Sequence, residues 1–184
     1  MMKKTIIAAL LPLAFFTSHH AFAEDEVTPP APITVNGGTV QFGGSIVNAP
    51  CAIDTGAAGL SVDMGQYRVS DFATTGDVSG LTPFNIALSN CAAETYTRAA
   101  VTFSGSTAAG NNKALSVNGG AGGVGIQILQ NHTPLAVDGS AASTPASLNE
   151  GSNMLTFQAQ YISLANAVTP GAANATANFT VTYQ

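Results

Sequence analysis

Apolar and polar positions alternate with a period of two in short runs from residue 40 to the last residue, Gln184. Successive side chains leave a strand on opposite faces, so this alternation marks strands with one buried face. Runs rich in Val, Ile, Phe and Thr predict strands over Val40 to Val47, Gly59 to Met64, Phe84 to Ser89, Ala99 to Ser104, Ala114 to Val117, Val124 to Gln130, Met154 to Ile162 and Ala175 to Tyr183. Gly, Asn, Asp and Ser separate them, and a helical period is nowhere sustained. Short, evenly spaced strands with turn residues between them predict an all-β antiparallel sandwich.

The two ends of the pattern are the most informative. Gly171 opens the last fourteen residues, in which Phe179, Val181 and the penultimate Tyr183 alternate with small polar residues. With no later segment to pair with, this strand is expected at a sheet edge. Near the other end, Thr34 to Gly44 reads as an extended segment, upstream of a second apolar run, Ser45 to Val47, and a Pro50-Cys51 corner. Such a segment can add to the sheet of another copy. The two ends together predict head-to-tail association, a heterologous contact that need not close into a ring. The alternative is that Val35 to Phe42 is the first strand of its own domain.

Within the N-terminal extension, Val40 and Phe42 share parity with Gly38, whereas Val35 lies on the other parity. A bulge at Gly37-Gly38 would restore Val35 to the inserted face. Each fully buried Val or Phe is worth roughly 1.5 to 3 kcal/mol.

Composition changes the picture first at the N-terminus. Met1-Met2-Lys3-Lys4, an apolar run from Thr5 to Phe16 and the Ala21-Phe22-Ala23 site form a secretory signal peptide over residues 1–23. The run is shorter than the roughly 20 residues that span a bilayer, so an exported protein with no membrane anchor is expected. Removing 23 of the 184 residues leaves 161. That length suits a single domain of roughly 100 to 200 residues. It also leaves Arg68, Arg98 and Lys113 against ten carboxylates, a net charge of −7. That balance argues against nucleic acid or an anionic membrane surface as partner. Only 8% of residues are charged, which leaves neutral surface for subunit packing.

Export places Cys51 and Cys91 in an oxidising compartment. With no Cys-x-x-Cys spacing and no companion ligands, the pair reads as a structural disulfide rather than a metal or redox centre. Closing a loop of about 40 residues contributes roughly 4 kcal/mol in the chain-entropy treatment.

Catalytic chemistry has little to stand on. His19 and His20 leave with the signal, and His132 remains in an Asn-His-Thr-Pro turn. Asp54, Asp63, Asp71 and Asp77 sit in turn-like contexts where Asp satisfies local backbone. No serine occupies a Gly-x-Ser-x-Gly elbow. The glycine run Gly119 to Gly125 lacks the Lys-Ser/Thr ending of a phosphate loop and reads as a flexible turn or bulge. The expectation is a non-enzyme without cofactor or metal.

Thr34 to Phe42, Val47-Asn48-Ala49-Pro50-Cys51, Phe84-Asn85-Ile86-Ala87-Leu88 with Cys91 after it, Gly125-Ile126-Gln127-Ile128-Leu129, Phe157-Gln158-Ala159-Gln160-Tyr161 and Thr169 to Ala175 closely resemble the major pilins of type 1 fimbriae, from the chaperone-usher pathway of Gram-negative bacteria. The resemblance runs from about Thr34 to Gln184. It departs at Glu24 to Ile33, an acidic, proline-containing leader longer than the family pattern.

The resemblance implies an incomplete immunoglobulin-like sandwich over residues 44–184, lacking its last strand, with residues 24–43 as an N-terminal donor extension. It implies Val35, Gly38, Val40 and Phe42 as the donor strand. Gly171, Phe179, Val181 and Tyr183 match the C-terminal pattern recognised by the periplasmic chaperone, which also lines the acceptor groove. A chaperone strand would be exchanged at the outer-membrane usher for the extension of the next identical subunit, giving a rod that ends in other pilins at its tip. The implied role is the structural subunit of a surface fimbrium. A minor or adaptor pilin is the alternative, and a glycan-binding tip adhesin a further one; the absence of Trp leaves Tyr67, Tyr96 and Tyr161 as weak sugar-stacking platforms.

Overall fold

The computed structural model describes residues 30–184 apart from 45, 47, 57 and 58. The predicted signal peptide and the acidic residues Glu24, Asp25 and Glu26 lie outside the described residues, as does Val47. The chain divides into two units between Gly44 and Ser45. In the first, the described residues 30–44 form neither helix nor strand.

In the second unit the alternation resolves into strands β1 (Ala52–Asp54), β2 (Thr82–Cys91), β3 (Arg98–Gly105), β4 (Thr107–Ala108), β5 (Asn111–Ser116), β6 (Val124–Gln130), β7 (Thr133–Pro134), β8 (Asp138–Ala142), β9 (Ala146–Ser147), β10 (Gly151–Ser163) and β11 (Ala177–Tyr183). One 3-10 turn, Val69–Phe72, accompanies them. The strands make two antiparallel sheets. The larger runs β1-β2-β10-β6-β5-β4, with β7 beside β6; the smaller runs β11-β3-β8, with β9 beside β3.

The core lies between the sheets and follows the period of two. Ile86 and Leu88 of β2, Leu155 and Phe157 of β10 and Ile126 and Ile128 of β6 meet Ala99, Val101 and Phe103 of β3. Phe157 is the hub. Its ring centroid lies 5.1 Å from that of Phe103, edge to face, and 5.8 Å from that of Phe84, stacked. Such pairs add roughly 0.5–1.5 kcal/mol beyond their burial. Outside this apolar layer, Gln160 and Gln127 stand opposite each other on β10 and β6, and Gln160 Nε2 donates to Gln127 Oε1 at 2.9 Å. The buried amides thus satisfy one another.

The predicted disulfide forms between Cys51 and Cys91. Cys51 precedes β1 and Cys91 ends β2, and the antiparallel pairing of Ala52 with Ser89 brings them side by side. Both are buried.

Four expectations need correction. No strand forms over the described residues of Val40 to Val47 or over Gly59 to Met64. The C-terminal strand begins at Ala177, two residues after the expected Ala175. The Gly119 to Gly125 run is no loose turn, since bridges join Asn118 to Asn174, Gly120 to Ala172 and Gly122 to Thr169. Strands β1 and β8 were not expected, because Ala52–Asp54 and Asp138–Ala142 are exposed along their whole length and carry no inward apolar set.

Candidate functional site

β11 is a terminal strand. It pairs with β3 from Ala177 opposite Gly105 to Tyr183 opposite Ala99, and among the described residues no strand lies on its other side. β1 is likewise terminal in the larger sheet. Alternation turns Ala177, Phe179, Val181 and Tyr183 toward the core, where all four pack against buried residues, yet each remains only half-buried. Their neighbours on β3, Ala99, Val101 and Phe103, are buried. The inner face of β11 therefore lacks a cover that β3 has.

Three cavities follow that uncovered face in chain order. The first, about 550 Å³, lies between Tyr67, Phe72, Tyr161 and the Val168–Asn174 stretch that includes Gly171. The second, about 490 Å³, is bounded by Leu60, Val62, Met64, Phe84, Phe103 and Phe179. The third, about 760 Å³, lies between Pro50–Ile53, Tyr96, Val181 and Tyr183. Their linings follow one another along residues 168–183, so the chain that ends in β11 is a common wall of all three, here called the groove. It is dominated by apolar and backbone groups, so its chemistry is that of an unpaired strand edge above an exposed core.

Local structure holds this groove in shape. At the far end, Gln184 N–H donates to the Arg98 carbonyl at 2.8 Å, while the Thr97 and Arg98 N–H groups donate to the Gln184 carbonyl at 2.9 and 3.0 Å. At the near end, Gly171 packs directly on the Gly120-Ala121 peptide, so closely that a Cβ there would meet Ala121 N and Gly120 C and lie 2.8 Å from the Gly120 oxygen. Gly119 is similarly constrained, since a Cβ would lie 2.8 Å from Ala172 Cβ, and its φ is +107°. Glycine is required here for backbone approach.

The electrostatics are sparse. Arg68, which lines the first cavity, pairs through Nη2 with Asp71 Oδ1 at 3.0 Å. That hydrogen bond holds the Asp71 carboxyl below its ordinary range. Burial pushes the Tyr161 phenol up, helped by Tyr67 and Asp63, and burial alone raises Tyr183. Tyr161 Oη donates to the Ala173 carbonyl at 2.9 Å, whereas the Tyr183 hydroxyl is buried without a partner. Tyr67 and Tyr161 meet edge to face at 5.8 Å. Among the described residues no three His, Cys, Asp or Glu side chains are grouped to hold a metal. His132 is exposed at the tip of the β6–β7 hairpin, where it and Asn131 have φ of 65° and 50°, as a two-residue primed turn requires.

The structure thus brings Gly171, Phe179, Val181 and Tyr183 to successive stretches of one groove, and Cys51 to its third cavity. In the N-terminal segment, Val35 is 80% exposed, Val40 74% and Phe42 93%. Gly38 has φ +101°, and its N–H donates to Asn36 Oδ1 at 3.1 Å. This Asx turn lies where the two apolar parities of the segment meet. Sequence reasoning missed Leu60, Val62 and Met64 as groove-lining residues. Their alternation predicts a strand instead, whereas the chain there is irregular.

The chain matches the fimbrial protein family over residues 40–184. The type 1 fimbrial subunit of Salmonella typhimurium is 39% identical over 189 aligned positions, covering 100% of both chains. Among solved structures, a chain of a chaperone-usher pilus studied for the uncoiling of its rod superposes with a TM-score of 0.69 at 32% identity, covering 84% of this chain and 100% of that one. The P pilus rod subunit PapA superposes with a TM-score of 0.65 at 31% identity, covering 74% of this chain and 100% of that one.

Proposed function

The chain belongs to the fimbrial protein family, a family of structural subunits and not of enzymes, and we infer that it is the rod subunit of an adhesive fimbria that polymerises by donor-strand exchange. The observation that carries this reading is the uncovered inner face of β11 in a protein that also has an exposed apolar segment at Val35 to Phe42. Similarity to a P pilus rod subunit and to a chain of an uncoiling rod supports the rod over a tip position.

In this mechanism residues 44–184 are the pilin domain and residues 24–43 its extension. The extension of one subunit enters the groove of the next. Its backbone adds to the edge of β11, while Val35, Val40 and Phe42 fill the cavities and Gly38 provides the close approach. The Gly38 turn supports the phase shift that sets Val35 on the same face as Val40 and Phe42. Before assembly a periplasmic chaperone lends a strand to the same edge, with Gly171, Phe179, Val181 and Tyr183 forming the surface it reads. Exchange takes place at an outer-membrane usher after the signal peptide, residues 1–23, has been removed. Burying apolar side chains at roughly 25 cal/mol per Å² supplies the driving force without a nucleotide.

The test compares the mature chain with one lacking Glu24 to Phe42, each co-produced with chaperone and usher and run on denaturing gels with and without boiling. A heat-sensitive ladder from the full chain alone is expected. A ladder from the truncated chain refutes the donor assignment.

A further inference from the structure

The donor segment contains two apolar pairs of the same spacing, Ile33/Val35 and Val40/Phe42. Ile33 is 88% exposed, as available as the others. An inserted strand that slid by seven positions would put Ile33 where Val40 belongs and Val35 where Phe42 belongs. The two apolar pairs alone therefore leave two registers open, although the slipped one sets Thr28 and Ala31 in the places of Val35 and Gly38, and a fibre with mixed registers would have unequal subunit spacing.

The leader contains what distinguishes them. Pro29, Pro30 and Pro32 stand immediately before Ile33. In the slipped register the residues beside β11 would be Thr28 to Val35, and the prolines would fall inside the ladder. Proline has no N–H to donate. Along a strand every second residue points its N–H to the same neighbour, and Pro30 and Pro32 have one parity while Pro29 has the other. Whichever parity faces β11, at least one proline falls on it, and the opposite edge of the inserted strand is broken as well. Described residues Pro30, Ala31 and Pro32 are exposed and take part in no strand.

Resting on the donor-strand reading above, we propose that Pro29, Pro30 and Pro32 are positioning residues that act as a register stop. They confine the inserted strand to Ile33 and beyond and exclude the slipped register. The leader's acidic residues Glu24, Asp25 and Glu26 are thereby held outside the groove, where their charges stay hydrated.

The test uses polymer of the full mature chain and of a Pro29→Ala/Pro30→Ala/Pro32→Ala variant. Hydrogen exchange is read at the amides of residues 24–44, and ladder dissociation is followed with temperature. The wild-type polymer will show protection from Ile33 or Thr34 to Phe42 and one dissociation step. In the variant protection will extend upstream of Ile33 and a second dissociation step will appear. The same protection boundary and the same single step in both polymers would overturn the stop, as would failure of the variant to polymerise, since a register stop is dispensable for insertion itself. Unprotected Val35 to Phe42 amides in wild-type polymer would instead overturn the donor-strand reading, and the stop with it.

Discussion

Replacing Gly171 by Ala tests whether this glycine is fixed by packing or by recognition. Its φ lies outside the left-handed region, so the substitution adds no backbone strain and the cost is steric. The new methyl group would collide with Gly120 and Ala121, whose backbone cannot rotate aside as a side chain can. Overpacking of this kind costs about 1–3 kcal/mol. Separating the segments also weakens two hydrogen bonds, Ala121 N–H to the Ala172 carbonyl at 3.1 Å and Ala172 N–H to the Gly119 carbonyl at 3.2 Å. Each is worth about 1 kcal/mol, so the expected loss is roughly 3 kcal/mol. The assay is urea unfolding of the oxidised subunit followed by far-UV circular dichroism, with Gly80→Ala as control. At Gly80 the nearest atom to an added Cβ is Tyr67 Oη at an ordinary 3.6 Å, so that variant will stay within about 0.5 kcal/mol of wild type. A Gly171→Ala subunit as stable as the control would refute the packing argument. If it were stable and yet failed to bind the chaperone, the glycine would be a recognition element.

Removing the disulfide as Cys51→Ala/Cys91→Ala frees a crosslink across a sequence separation of 40, and the same unfolding assay will show a loss of about 4 kcal/mol. A loss under 1 kcal/mol would mean that the antiparallel contact of β1 with β2 suffices to hold this edge. Tyr183→Phe deletes a buried hydroxyl that has no partner, so it will leave stability unchanged or raise it by up to about 1 kcal/mol; a loss greater than that would reveal a bond to this hydroxyl in solution. Because burial raises the Tyr161 and Tyr183 phenols above the ordinary value of 10.0, the unfolded chain loses those protons first. The contribution of these two phenols to stability is therefore constant below about pH 10 and falls above it, and Tyr183→Phe will lessen that fall in pH-dependent thermal melts. An unchanged alkaline limb in the variant would count against burial of this phenol.

How much was legible in the sequence followed from periodicity. β2, β3, β6, β10 and β11 each send alternate residues into the core, and the period of two located all five. β1 and β8 were invisible because they bury no side chain and exist through backbone pairing alone. Gly59 to Met64 misled for the converse reason. Leu60, Val62 and Met64 alternate because all three line a cavity, but the chain beside them finds no partner strand. The groove's end residues were legible as an alternating terminal strand, whereas the role of Gly171 was not. The requirement for glycine there arises from a contact with residues some fifty positions earlier, and no local pattern encodes it.

That contact also explains how the groove can stay open. An apolar cleft ordinarily closes, because its walls gain by meeting. Here each wall is tied to something that does not move with it. β11 is registered along its whole length on β3 and fixed at its last residue by Gln184, and the chain before it is seated on the Gly119–Gly122 backbone. On the far side the disulfide pins the start of β1 to the end of β2. Between them the rings of Phe84, Phe103 and Phe157 stand against one another, and Phe103 also against Phe179, with centroids 5.1 to 6.4 Å apart. Closing the gap would require these rings to leave their contacts and β11 to leave its ladder. Each lost ladder bond costs about 1 kcal/mol, so the cost of collapse accumulates along the seven residues of β11. Under the donor-strand mechanism proposed above, an incoming strand would cover the same apolar surface and add hydrogen bonds while breaking none of these, so insertion would be the favoured way to close the core.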